Sequence, residues 1–164
     1  MKTADVLLEM IRYNAGDARR VNHLIKVYGF AKVIGEREGL DARTQEILEI
    51  AALTHDIGIR NSERKYGSCS GEHQQVEGPP EARTLLEALQ ADEALVERVC
   101  WLIAHHHTYS NIRGLDYQIL VEADFLVNAY EDEMDEDTIK TVRERIFRTK
   151  TGIELLDTLY SLRV

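Results

Sequence analysis

Apolar residues along this chain recur every three to four positions, and no segment sustains the alternation of apolar and polar residues that is typical of a β-strand. The segment from Val21 to Ile34 shows this clearly, since its apolar side chains follow a spacing close to the 3.6-residue helical period. The chain's two prolines are adjacent, at positions 79 and 80, so they interrupt the pattern at one place only. The sequence therefore predicts an all-α fold, a single-domain helical bundle.

The same pattern, together with capping and turn residues, predicts where the helices lie. They are expected over about residues 3–14, 17–39, 41–58, 79–90, 92–107, 115–131, 137–148 and 152–161. Residues 60–78 are polar and lack an apolar period, so we expect a long loop there, of the kind that often forms a lid or a binding loop. The two prolines would then occupy the first turn of the next helix. The acidic residues 131–137 are expected to form a solvated turn without a functional role.

Length and charge limit the classes of protein to which the chain can belong. Its 164 residues, 44% hydrophobic and 30% charged, suffice for one core, so we expect one domain over 1–164 in which helices at 135–162 pack on the rest. The formal net charge of −9 argues against a nucleic-acid polymer as a partner and against an electrostatic membrane anchor. No apolar run approaches the ~20 residues of a membrane span, and the N-terminus does not resemble a secretory signal. We therefore expect a cytoplasmic protein without a membrane partner.

Two polar residues lie on helical stripes that should be buried. His55 follows Leu48 and Ala51 at spacings of seven and four residues, and Asp124 follows Leu120 at a spacing of four within an otherwise apolar helix. Burying an unpaired ionised carboxylate is so unfavourable that such groups pair with a cation or bind a metal. A buried ion pair with an arginine is one interpretation of Asp124. We favour metal ligation, because imidazole and carboxylate together form a mixed nitrogen and oxygen site for a divalent ion.

Three consecutive histidines end the helix predicted over 92–107. His106 follows Val99 and Ile103 at spacings of seven and three residues, so it lies on the apolar face. His105 precedes it by one residue and therefore lies next to that face. The helix dipole favours a single histidine at a C-terminus without any further role. Three in a row favour the interpretation that one or two of them are metal ligands.

Three segments, in order, resemble the motifs of the HD-domain metal-dependent phosphohydrolase superfamily. They read VNHLIKVYGFAKVIGEREGLD, ILEIAALTHDIG and EADFLVNAYE, and the resemblance spans about residues 20–130. The family signature is a histidine on one helix, a His-Asp pair on the next and a distant aspartate, which match His23, His55, Asp56 and Asp124. The resemblance implies an all-α bundle of the HD-domain type in which these four residues hold a divalent metal.

Many members of this family hold a second metal, which is bridged by the aspartate of the His-Asp pair and bound by further histidines. In this chain His105 or His106 could supply such ligands, and His73 is a further candidate, for which Glu77 is the alternative. Histidine and aspartate donors suit Mn, Fe, Co, Ni or Zn better than Mg or Ca. We therefore expect one or two divalent transition-metal ions.

The resemblance also implies an activity: hydrolysis of a phosphomonoester or phosphodiester by metal-activated water. The partner would be a small phosphorylated molecule with a nucleotide-like structure, and Asp56 would be the catalytic residue that fixes the nucleophile between two metals. Four cations are candidates for binding the substrate, namely Arg20, Arg60, Lys65 and Arg113. For Lys65 and Arg113 an ordinary solvated surface position is the simpler interpretation. The alternative function is a non-catalytic HD module that binds a metal or ligand in a regulatory role.

Overall fold

The regular secondary structure is entirely α-helical in the part of the chain that the computed structural model describes, residues 1–162. The helices are α1 (Thr3–Tyr13), α2 (Ala18–Glu38), α3 (Ala42–Thr54), α4 (Ile59–Tyr66), α5 (Gly71–Ala88), α6 (Glu93–His105), α7 (Leu115–Glu131), α8 (Glu136–Arg145) and α9 (Lys150–Leu159). This confirms the predicted all-α fold. Among these helices, none combines the length and the apolar character needed to cross a membrane. The predicted domain end at residue 164 lies outside the described residues, so the domain limits stay a prediction.

Aspartates define where several of these helices begin. The side chain of Asp17 accepts a hydrogen bond from the backbone of Arg20, and Asp41, Asp92 and Asp135 cap α3, α6 and α8 in the same manner. The end of α2 at Gly39 is equally local, because this residue adopts a left-handed conformation with φ of 76°. The predicted starts at 17, 41 and 92 agree with these caps.

The prediction of a long loop over residues 60–78 was wrong. Most of this segment is helical, since α4 occupies its first part and α5 begins at Gly71, with only residues 67–70 between them. The buried residues of α4 are Asn61 and Ser62, both polar. A helix that buries polar side chains has no apolar period, which is the signal on which the prediction relied.

The two prolines lie inside α5 rather than in its first turn, which is a second correction. Their nitrogens carry no hydrogen, so α5 lacks two of its backbone hydrogen bonds at this point. At the same place α5 packs closely on α6. A Cβ at Gly78 would lie 2.5 Å from Ile103 Cγ2, and the Pro79 carbonyl accepts a hydrogen bond from the buried, free thiol of Cys100 at 3.3 Å.

Helix α7 lies at the centre of the fold. Its side chains are buried around most of its circumference, and both α2 and α3 pack against it. Helix α2 also packs on α3, and α3 packs on α6. The helices that carry the predicted ligands therefore surround one common region.

A buried carboxylate joins the C-terminal helices to α7. Glu122 accepts hydrogen bonds from the backbone nitrogens of Arg148 at 2.7 Å and Thr149 at 2.9 Å, and from Gln118 Nε2 at 2.7 Å. The Thr149 hydroxyl in turn caps α9 by accepting from the Gly152 nitrogen at 2.9 Å. N–H donors thus satisfy this charge and fix the start of α9 against α7.

Candidate metal centre

The four residues that match the HD signature converge at one point. His23 Nε2 on α2 lies 3.3 Å from Asp124 Oδ1 on α7 and 3.4 Å from Asp56 Oδ2. His55 Nε2 lies 3.3 Å from His23 Nε2 and 3.5 Å from Asp124 Oδ1. These atoms belong to three helical segments, so the packing of α2, α3 and α7 brings them together.

The turn after α3 presents His55 and Asp56. The Ile59 nitrogen donates to the Asp56 carbonyl at 3.0 Å, so the chain turns tightly before α4 starts. Gly58 within this turn packs directly on α5, because a Cβ there would lie 2.6 Å from the nitrogen of Gly78. The glycine of the HDIG sequence is therefore required by backbone contact rather than by an unusual φ.

Three histidines of the cluster use Nδ1 as a hydrogen-bond donor, which determines the role of Nε2. His23 Nδ1 lies 2.8 Å from Glu131 Oε2, His55 Nδ1 lies 2.8 Å from the Ala52 carbonyl, and His106 Nδ1 lies 2.7 Å from the carbonyl three residues before it. Carboxylate and carbonyl oxygens only accept, so each Nδ1 carries the hydrogen. In the neutral rings Nε2 then offers a lone pair toward the cluster.

Two buried atoms of the cluster have no hydrogen-bond partner: Asp124 Oδ1 and His106 Nε2. While both rings are neutral, the Nε2 atoms of His23 and His55, 3.3 Å apart, also face each other lone pair to lone pair. Buried polar atoms without partners are costly, by roughly 1–3 kcal/mol each. A cation among them would satisfy all of these atoms, so the donor set fits a divalent metal.

A second group of donors shares Asp56 with the first. Asp56, His106 and His107 offer ligand atoms within 4.8 Å of one another, as do His23, His55 and Asp56. Asp56 directs Oδ2 toward His23 and His55, whereas its Oδ1 lies 3.7 Å from His106 Nε2. One carboxylate thus contacts both groups of donors, which is the arrangement needed to bridge two ions.

Burial and close contact shift the pKa of these groups in opposite directions. Burial lowers the pKa of His55, but Asp56 and Asp124 outweigh it and raise the pKa to about 9. Burial raises the pKa of Asp56, yet His55 and His106 hold that pKa at about 2. The pKa of His107 falls to about 4, chiefly through burial and also through His106. At neutral pH Asp56 is therefore ionised and His107 neutral, and without a metal His55 carries a second ring proton, which a bound metal ion would displace from Nε2.

Two of the predicted additional histidines lie outside the cluster. His105 stacks on Trp101, with ring centroids 4.0 Å apart, and His73 stacks on Tyr66 at the same separation. The sequence did not single out His107 as a candidate ligand, although its position next to His106 in the triplet could have indicated it. Successive residues differ by about 100° around a helix, so the triplet alone does not reveal which members face inward.

The other predicted residues are mostly engaged elsewhere. Glu77 accepts hydrogen bonds from Lys65 Nζ at 2.6 Å and from a tyrosine of α4 at 2.9 Å, so both of its oxygens are occupied away from the cluster. Arg60 donates to the Tyr13 carbonyl at 2.9 Å and lies over that ring. Arg113 is exposed. Because residues 60–66 form a helix rather than a flexible loop, Arg60 and Lys65 lie on faces directed away from the cluster.

Arg20 is the predicted cation that does line the site. A cavity of about 540 Å³ opens beside the cluster and is lined by Arg20, Arg19, His23, Asp56, His107 and Asp124, among others. The guanidinium of Arg20 lies 3.3 Å from Glu63 Oε1 and 3.5 Å from Asp17 Oδ2. These two carboxylates hold Arg20 at the wall of the cavity, beside His23.

Comparisons with known proteins agree with this geometry. The family model described as HD domain matches residues 20–148, which include every residue of the cluster. Among solved structures, the crystal structure of a "predicted HD superfamily hydrolase" from an uncultured Thermotogales bacterium is similar, with 26% sequence identity and a TM-score of 0.64 over 97% of this chain and 83% of that chain. Among curated proteins no match was found. The resemblance predicted from the three motifs is thereby confirmed, and the chain belongs to the HD-domain family, a superfamily of metal-dependent hydrolases.

Proposed function

We propose that the protein hydrolyses a small phosphoester, either a monoester or a diester, with a divalent transition metal held by His23, His55, Asp56 and Asp124. The observation that carries this proposal is the convergence of imidazole Nε2 atoms and carboxylate oxygens, including the buried and unpartnered Asp124 Oδ1. A cation between these atoms would satisfy Asp124 Oδ1 and the Nε2 lone pairs together.

The donor set also supports the choice of ion. Imidazole nitrogen with carboxylate oxygen favours Mn, Fe, Co, Ni or Zn over Mg and Ca. A second ion is supported by the group of Asp56, His106 and His107, which shares Asp56 with the first. When bound at such a site, a divalent metal lowers the pKa of water and withdraws charge from a phosphoryl oxygen.

The residues of this chain account for substrate binding and orientation. Arg20 lines the cavity beside His23 and offers guanidinium hydrogens to phosphate oxygens, while Glu63 and Asp17 restrict its orientation. Asp56 is ionised at neutral pH and contacts both donor groups, so it fixes their relative position. His107 is held by Gln74, whose Oε1 lies 3.1 Å from His107 Nε2.

We infer a substrate of nucleotide size from the volume of the cavity. At about 540 Å³ it falls within the range of roughly 300–1,000 Å³ that is usual for small-molecule pockets. This is much more space than a free phosphate ion needs. A small phosphorylated molecule, rather than a nucleic-acid polymer, also agrees with the net charge of −9.

The test measures the turnover of several phosphoesters with Mn, Fe, Co, Ni or Zn added. The panel consists of p-nitrophenyl phosphate, bis(p-nitrophenyl) phosphate and the nucleoside monophosphates. We expect hydrolysis that requires metal and that is lost in Asp56→Ala, while helicity by circular dichroism is retained. Full activity of metal-free Asp56→Ala would contradict the proposal. Metal binding without turnover of any panel member would instead favour the regulatory HD module.

A further inference from the structure

Glu131, the last residue of α7, supports His23 from the side opposite the cluster. Its Oε2 lies 2.8 Å from His23 Nδ1, and its Oε1 contacts Lys26 Nζ. The Glu131 side chain is only 14% exposed, so this contact is largely shielded from water. Glu131 thus lies in a helix and is largely buried, so the expectation of a solvated turn over residues 131–137 was wrong for this residue.

His23 differs from the other inward-facing histidines in what orients it. His55 and His106 each donate Nδ1–H to the carbonyl three residues earlier in their own segment, Ala52 and Ile103 respectively. Both lie at a helix C-terminus, where such carbonyls are free of helix partners. His23 lies within α2, where the carbonyls are used by the helix itself, so its Nδ1 needs an acceptor from another helix.

The register of two helices supplies that acceptor. Glu131 follows Asp124 by seven residues, about two helical turns, so both lie on the same face of α7. Lys26 follows His23 by three residues, about one turn along α2. Each helix thus contributes one candidate ligand and one supporting residue to the same interface.

We propose that Glu131 is a positioning residue for the metal site, an inference that rests on the proposed function. Its carboxylate accepts the Nδ1–H of His23, which keeps the Nε2 lone pair directed at the cluster, and its negative charge makes Nε2 a stronger donor. Carboxylate partners of metal-binding histidines act in this manner generally, and their loss typically weakens metal binding by about 10- to 100-fold. Lys26 keeps the carboxylate ionised and in place.

The experiment compares the dissociation constant for Co²⁺ in wild type, Glu131→Ala and Glu131→Gln, by competition with a chromophoric chelator. We expect about 10- to 100-fold weaker binding in Glu131→Ala. A smaller loss is expected in Glu131→Gln, because the amide oxygen still accepts the hydrogen bond but carries no charge. Glu133→Gln is the matched control, since it removes the charge of an exposed neighbour, and it should bind Co²⁺ like wild type.

A second measurement distinguishes a positioning role of Glu131 from a purely structural one. In the Zn²⁺-loaded protein the Nδ1–H proton of His23 should give a strongly downfield NMR signal in wild type, which should move upfield in Glu131→Gln and vanish by exchange in Glu131→Ala. Equal Co²⁺ affinity of Glu131→Ala and wild type would overturn the inference alone. Failure of wild type itself to bind Co²⁺ would overturn the proposed function and this inference with it. If Glu131→Ala does not fold, Glu131→Gln decides, and wild-type affinity in that variant overturns the inference.

Discussion

The two oxygens of Asp56 face different histidines: Oδ2 lies 3.5 Å from His55 Nε2, and Oδ1 lies 3.7 Å from His106 Nε2. This division places one carboxylate between two groups of donors that otherwise have no member in common. It also distinguishes His106 from its neighbour His105, which stacks on Trp101.

The first prediction concerns the number of ions. His106→Ala removes a donor from the second group only, so this variant should hold one transition-metal ion fewer per chain than wild type while retaining the ion at the first group. His105→Ala is the matched control and should hold as many ions as wild type. Elemental analysis of metal per chain measures both. Loss of all metal in His106→Ala, or an equal loss in His105→Ala, would contradict the claim that the two groups of donors hold separate ions.

The second prediction concerns the phosphate. Arg20→Met should lower kcat/KM for the best substrate by about 10- to 100-fold, the cost of one or more hydrogen bonds from a charged donor. Its metal content should be unchanged, since Arg20 does not contact the cluster through a donor atom. Arg60→Met serves as the control, because Arg60 binds the Tyr13 carbonyl, and it should retain wild-type kinetics. An unaltered kcat/KM in Arg20→Met would show that Arg20 does not bind the substrate.

The third prediction uses two glycines in opposite surroundings. A Cβ at Gly58 would lie 2.6 Å from the Gly78 nitrogen and 2.7 Å from the Gln74 carbonyl, and neither backbone atom can move freely. Gly58→Ala should therefore lower the free energy of unfolding by about 1–3 kcal/mol and should also weaken metal binding at the adjoining turn. Gly29→Ala meets no atom within 4 Å inside α2 and should raise that free energy by about 0.5–1 kcal/mol. Urea unfolding measures both, and equal effects would refute the close contact at Gly58.

The fourth prediction is a pH dependence at the contact between α2 and α9. Glu38 accepts a hydrogen bond from the Thr151 nitrogen at 2.8 Å, and bonding to Thr151 lowers the pKa of this carboxyl below its ordinary value of 4.5. A lowered pKa means that the ionised form stabilises the fold above pH 4.5 and that this contribution is lost as the pH falls. Wild type should thus exceed Glu38→Gln in stability by up to about 1 kcal/mol at pH 7. The difference should shrink as the pH falls below 4.5, and a difference that does not shrink would contradict this assignment.

The principal candidate ligands could be predicted because each carries a local signal. His55 and Asp124 occupy apolar stripes, and the HD pair stands in a recognisable order with His23 and Asp124. The helix starts at Asp17 and Asp41 were also predictable, since a cap involves only residues next to one another in sequence.

The remaining features depend on packing that the chain order does not reveal. Residues 60–66 form a helix whose buried positions include Asn61 and Ser62, so there was no apolar period to detect. Once this segment is helical, Arg60 and Lys65 lie away from the cavity. Glu131 stands among other acidic residues, and its relation to His23 appears only when α2 packs on α7.

The most direct test of the account is the transition-metal content per chain of wild type and Asp124→Asn, both purified without chelator. Asp124 Oδ1 is buried without a hydrogen-bond partner, so an isosteric neutral side chain should leave the fold intact and remove the charge that a metal needs. We predict at least one equivalent of a transition metal in wild type and little or none in Asp124→Asn, with the same helicity in both. A wild-type protein that holds no metal, even after incubation with Mn, Fe, Co, Ni or Zn, would contradict the account.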